Sequence, residues 1–216
     1  REHNEDTYYA DGDLGLWLVA DGMGGHENGE VASALARDTL VQQIGQGENL
    51  ARAIQVADEE IIRHSSQRTQ ALPMGTTIAA VRLAADEFEV AWVGDSRVYL
   101  WNGELKQISQ DHSYVRELIE QGAISPEQAR THPHRNVVTQ ALGVTDPQSL
   151  RVETVSGKLE PGNQVLLCSD GLTDLVSDDE IAEALASRTS AEAVASLVVL
   201  ARARGGHDNI TTILIA

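Results

Sequence analysis

A single cysteine, Cys168, leaves the chain without any internal disulfide framework. No apolar run approaches the roughly 20 residues that span a bilayer, and no N-terminal sequence of charge, apolar stretch and cleavage site is present. Aromatic residues are only 4% of the whole, so the core must be built from Val, Leu, Ile and Ala. Basic residues are scarce as well: 16 Lys and Arg face 33 Asp and Glu, a formal charge of −17 that repels nucleic acid and anionic membrane surfaces over a Debye length. These absences exclude a disulfide-stapled secreted module, membrane insertion and a nucleic-acid partner. They predict a soluble, cytoplasmic domain, most simply a monomer.

What is present is ordinary globular material. With 42% apolar residues in 216, the chain has enough for one sizeable core and no repeat, low-complexity tract or linker that divides it. One domain over 1–216 is predicted. The chain opens at Arg1 without a methionine, inside a motif described below, so the natural protein is expected to extend upstream, with a leading strand before Arg1.

The apolar run Trp17-Leu18-Val19-Ala20, closed by Asp21-Gly22, reads as a buried strand and turn, followed by the glycine-rich loop Gly22 to Gly29. Apolar residues at helical spacing predict helices from Glu30 to about Ile44 and over Leu50 to Ile61. Thr76 to Leu83, Phe88 to Val93 and Val98 to Trp101 form a meander, with turns at Ala85-Asp86 and Asn102-Gly103. Between Asp111 and Gly143 the pattern becomes polar and helix-like, interrupted by Pro126 and Pro133, which reads as a mobile subdomain inserted between strands. Strands return at Leu150 to Val155 and Val165 to Cys168. A capping box, Ser177 to Glu180, opens one helix; another covers Ser190 to Arg204, and Ile210 to Ile215 is the last strand. The order predicts a layered α+β domain.

Four aspartates sit at strand ends: Asp21, Asp95, Asp170 and Asp208. Singly, each is explained as a turn residue. Together, carboxylates at the margin of an apolar core need a counter-charge, and apart from Arg1 and Arg97 the neighbouring motifs supply almost none. Divalent cations fit that need. An all-oxygen donor set with no Cys/His cluster favours Mg²⁺ or Mn²⁺ over Zn²⁺ or copper, and a Gly22 carbonyl can join it because glycine lets backbone approach an ion. A nucleotide-loop reading of Gly24 to Gly29 fails, since Glu30 stands where that loop needs lysine.

Arg1-x-x-Asn4-Glu5-Asp6, Asp21-Gly22-Met23-Gly24-Gly25, Gly29-Glu30, Gly75-Thr76-Thr77, Gly94-Asp95-Ser96-Arg97, Ser169-Asp170-Gly171-Leu172-Thr173-Asp174 and Asp208-Asn209 occur in that order over essentially the whole chain. This series resembles the signature of bacterial metal-dependent Ser/Thr protein phosphatases, the type 2C or PPM family. The resemblance implies a four-layer αββα fold, a central antiparallel β-sandwich flanked by helices, with 111–143 as the flap subdomain. It implies hydrolysis of phosphoserine and phosphothreonine in proteins by a water activated between two Mn²⁺ or Mg²⁺ ions, opposing Ser/Thr kinases. Its partners would be phosphorylated proteins, the kinases and their substrates.

By the same resemblance Asp21 bridges the two metals, the Gly22 carbonyl binds one, and Asp170 and Asp208 complete the pair. Glu5 and Asp6 act directly or through water, Asp95 and Asp174 match a weaker third position shared with Asp170, and Arg1 holds the phosphate. Many eukaryotic relatives carry a histidine after the Asp-Gly; here it is Met23, as in bacterial members, which leaves the general acid unassigned. His26, His132 and His134 read as loop and flap surface residues, and Cys168 as a buried structural thiol. Two other readings share the motifs: a silent module that binds phosphoproteins, and a phosphatase dedicated to one partner such as a sigma-factor regulator.

Overall fold

A computed structural model describes residues 3–24, 27–67 and 74–216. In chain order these form β1 (Asp6–Asp11), β2 (Leu16–Met23), α1 (Glu27–Gly45), α2 (Leu50–Ser66), β3 (Gly75–Thr76), β4 (Ile78–Ala84), β5 (Glu87–Val93), β6 (Arg97–Trp101) and β7 (Leu105–Gln107). There follow α3 (Tyr114–Glu120), α4 (Pro126–Arg130), β8 (Glu153–Lys158), β9 (Gln164–Cys168), α5 (Asp170–Thr173), α6 (Asp178–Ser187), α7 (Ser190–Ala203) and β10 (Thr212–Ile215).

Two antiparallel sheets result, one ordered β1-β2-β4-β5-β8 with β3 paired to β2, the other β10-β9-β6-β7. Strand alternation sorts the side chains into layers. Leu16, Leu18 and Ala20 of β2 face α1 and α2, where they meet Ala36, Leu40, Ile54 and Ile61. The intervening Trp17 and Val19 face the second sheet and join Val90, Val98 and Leu167 in the core between the sheets. On the far side Tyr99, Leu166 and Cys168 pack against Ile181 of α6 and Leu197 of α7. The layers are therefore helices, sheet, sheet, helices: an α+β fold of αββα type. Among the described residues no helix is long and apolar enough to cross a membrane.

Several elements differ from the sequence reading. β1 was not read as a strand, because it is an edge strand with polar neighbours and Tyr8 is 62% exposed. β8 begins at Glu153, not Leu150: its register pairs Glu153 with Trp92 and Lys158 with Glu87, while Leu150 and Val152 pack beneath α1 and α2 outside the ladder. Pro126 does not interrupt a helix but starts α4 behind a Ser125 capping box, a position where its missing N–H costs nothing. α1 starts at Glu27, three residues before the predicted Glu30.

Candidate active site

Both sheets deliver carboxylates to one end of the sandwich. Asp21 continues the inward face of Trp17 and Val19 past the end of the apolar run, and Asp6 is its direct partner across the β1–β2 ladder, which puts both side chains on one face. β9 ends at Cys168, and after Ser169, the N-cap, Asp170 opens α5. Asp21 (9% exposed), Asp6 (8%), Asp95 (8%) and Glu5 (8%) are buried.

The electrostatics show how closely these groups crowd. Burial, then the charges of Asp170, Asp6 and Asp95, pushes Asp21 up to about 10. Burial likewise pushes Asp170 to about 6, with Asp174, Asp208 and Asp6 adding repulsion. Asp21 and Asp170 lie close enough that each shifts the other's titration. Asp95 lies well above the usual carboxylate range, through burial first and then Asp170 and Asp111. Asp6 is raised by burial against the opposing hydrogen bonds from Thr211 and Ser169, with Asp208 adding repulsion. The structure thus brings together Asp6, Asp21, Asp95, Asp170, Asp174 and Asp208.

Three of these residues, Asp6, Asp21 and Asp174, are held by hydrogen bonds to their backbone or side chain. Ser169 Oγ and Thr211 Oγ1 both donate to Asp6 Oδ2, at 2.8 and 2.6 Å. The Asp21 N–H donates to Thr77 Oγ1 at 3.2 Å, while Thr77 N and Thr76 Oγ1 donate to the Asp21 carbonyl at 2.9 Å. Asn136, between α4 and β8, donates its amide to Asp174 Oδ2 at 2.5 Å. Asn209 accepts the Glu5 N–H at 3.0 Å and donates to the His3 carbonyl, so the loop bearing Asp208 is stitched to the first strand.

The glycines of the signature are contact points. A Cβ on Gly22 would lie 2.0 Å from the Gly29 carbonyl oxygen, and one on Gly29 would meet Glu5 Oε1 at 2.7 Å. A Cβ on Gly171 would lie 1.9 Å from the Asn209 carbonyl oxygen. Gly171→Ala must push the Asp208–Asn209 loop away from α5. The expected cost is about 1–3 kcal/mol, read as a melting temperature several degrees lower. An unchanged melting curve would contradict this packing.

Which cation fits can be asked of the oxygens themselves. Asp6 Oδ1 and Asp170 Oδ1 are buried without a hydrogen-bond partner. Orphaned carboxylate oxygens among mutually repelling acids are suited to a hard divalent cation. The ligand shell is not closed, since among the described residues no three His, Cys, Asp or Glu side chains stand in geometry to hold an ion.

Sequence reasoning missed Ser169, Thr77, Thr211, Asn136 and the amide role of Asn209. The first two and Asn209 lay inside the quoted motifs without an assigned task; Thr211 and Asn136 carried no signal. It also missed the ion pair between β6 and the segment before α3, where Arg97 donates to both oxygens of Asp111 at 2.7–3.0 Å and to Tyr99 Oη at 3.0 Å. Arg1 and His26 lie outside the described residues. His132 and His134 form an aromatic cluster with Tyr114 of α3, with centroids 5.7–6.0 Å apart. Cys168 is buried, and burial pushes its thiol up to about 12, so it is no nucleophile.

A two-sheet sandwich that closes on crowded, cation-seeking carboxylates defines a metal-dependent phosphatase class, and comparison with known proteins agrees. The family model described as protein phosphatase 2C matches residues 1–212. The chain belongs to the protein phosphatase 2C family, the metal-dependent serine/threonine protein phosphatases. It is 38% identical over 230 residues to the serine/threonine phosphatase stp of Listeria monocytogenes, covering all of this chain and 90% of that protein. The crystal structure of the serine/threonine phosphatase PstP/Ppp of Mycobacterium tuberculosis superposes with a TM-score of 0.91 at 37% identity, over 99% of this chain and 92% of that one. The catalytic domain of PstP in complex with two manganese ions superposes with a TM-score of 0.87 at 35% identity, over 99% of this chain and 91% of that one.

Proposed function

We propose that 1–216 is a single catalytic domain in which Asp21, Asp170, Asp208 and the Gly22 carbonyl hold two Mn²⁺ or Mg²⁺ ions. In this reading Glu5 and Asp6 contribute directly or through water, and Asp95 and Asp174, with Asp170, form a weaker third position. The observation that carries it is the buried, mutually repelling carboxylate cluster with unpartnered Asp6 Oδ1 and Asp170 Oδ1. When bound, the cations supply positive charge at the phosphoryl group and acidify a water molecule.

The chain's own residues do the rest. Asp21, whose carbonyl and N–H are both tied to Thr76 and Thr77, gives the cations a fixed anchor between the two sheets. Arg1, whose planar fork suits two phosphoryl oxygens, orients the substrate. Water attacks phosphorus, the P–O bond to serine or threonine breaks, and the alcohol leaves with a proton. Met23 offers no side-chain donor for that proton. Thiol attack is unavailable at buried Cys168.

The substrates are phosphoproteins, and the reading extends to opposition of Ser/Thr kinases by a monomeric, cytoplasmic enzyme. A phosphothreonine peptide is expected to release inorganic phosphate with Mn²⁺ and none with EDTA. Tight peptide binding without phosphate release would identify a silent phosphoprotein-binding module instead.

A further inference from the structure

Among the described residues, four of the five buried carboxylates, Glu5, Asp6, Asp21 and Asp95, stand at the site. The fifth, Asp58, is 2% exposed on α2, in the middle of the apolar face formed by Leu50, Ala53, Ile54, Ala57 and Ile61. A carboxylate placed there needs a hydrogen bond to offset its desolvation. It has one across 85 positions of sequence: the Gly143 N–H donates to Asp58 Oδ1 at 2.7 Å.

Gly143 is where the flap returns to the body. Its φ is +78°, and a Cβ there would lie 2.3 Å from Ile61 Cγ2, so the return lies flat against α2. The residue before it, fully buried Leu142, exchanges two backbone hydrogen bonds with Thr76, at 2.9 and 3.1 Å. Thr76 Oγ1 in turn donates to the Asp21 carbonyl at 2.9 Å, and the adjacent Thr77 N donates to the same oxygen. A continuous set of hydrogen bonds therefore runs from α2 through the flap return to the backbone of Asp21.

We propose that Asp58 is a positioning residue for the metal centre: by fixing Gly143 it holds the Leu142–Thr76 crossing, and through it the main chain that carries Asp21. This rests on the reading of Asp21 as a metal ligand. A loosened crossing lets Asp21 shift, and a ligand whose support is lost binds its ion 10- to 100-fold less tightly as a rule of order of magnitude, about what outer-shell partners contribute.

The test is calorimetric titration of Mn²⁺ into the parent protein and into Asp58→Ala, Asp58→Leu and Asp58→Asn, with circular dichroism as the check on folding. Leucine matches the volume and the apolar face, and asparagine retains an oxygen that accepts the Gly143 N–H. Folded Asp58→Ala or Asp58→Leu is expected to bind Mn²⁺ about 10-fold or more weakly, with Asp58→Asn restored to within about threefold of the parent. Parental Mn²⁺ affinity in a folded Ala or Leu variant would overturn the proposal. Equal loss in Asn, or failure of both Ala and Leu to fold, would also overturn it and make Asp58 a determinant of fold alone. Absence of Mn²⁺ binding in the parent would instead defeat the metal-centre reading itself.

Discussion

Asp170→Asn is expected to abolish Mn²⁺-dependent cleavage of a phosphothreonine peptide while leaving the fold in place. The substitution keeps the side chain's shape and its place at the start of α5, but removes the charge that faces Asp21, Asp6 and Asp208. It also puts a weaker ligand where the buried, unpartnered Oδ1 is offered to a cation. A metal ion contributes several kcal/mol to transition-state stabilisation; about 4 kcal/mol corresponds to roughly a thousandfold in kcat. Phosphate release at the parental rate from a folded Asp170→Asn protein would remove Asp170 from the catalytic centre. Because asparagine relieves repulsion within the cluster, the variant's own melting temperature should not fall.

That residue was legible in the sequence for a specific reason. β9 is a short apolar run, Val165 to Cys168, and an aspartate directly after such a run must emerge at a sheet end. Asp21 after Trp17 to Ala20 reads as a strand end too, but β2 runs on through Met23, and Asp21 lies within the strand, paired with Asp6. What the residues alone could not convey was mutual placement: the Asp6–Asp21 pairing depends on β1, whose exposed Tyr8 and polar flanks mask its strand character. The supports were less legible still. Ser169 and Thr211 read locally as turn and strand residues, and their joint grip on Asp6 spans 163 and 205 positions of sequence. Asn136 reads as a surface residue until the fold brings its amide to Asp174. Ladder registers shift similarly: Leu150 and Val152 are apolar because they pack on the helical layer, not because they belong to β8.

The second large effect concerns stability. Asp21 and Asp170 have ordinary values of 3.8 when unfolded and are raised to about 10 and about 6 in the folded, metal-free protein. Folded protein therefore binds more protons than unfolded protein above pH 3.8, and its stability falls as pH rises. The loss runs through about 6 for Asp170 and continues toward about 10 for Asp21. The metal-free protein should melt at a higher temperature at pH 5 than at pH 8 as far as these two groups decide it. Mn²⁺ should reverse the deficit at pH 8. At 100 times its dissociation constant it contributes about 2.7 kcal/mol, a rise of about 5–10 °C for a domain of this size. Asp21→Asn should raise the metal-free melting temperature and cancel the Mn²⁺ increment. Thermal scans at two pH values, with and without Mn²⁺, check each part; a Mn²⁺ increment retained in Asp21→Asn would contradict Asp21 as the shared ligand.

The most direct test of the metal centre is an anomalous-scattering map from crystals grown with Mn²⁺. Two peaks are predicted at the end of the sandwich, with Asp21 between them and Asp170 and Asp208 completing the set. Manganese bound elsewhere, or no peak beside Asp21, would contradict the assignment of this carboxylate cluster as the catalytic site.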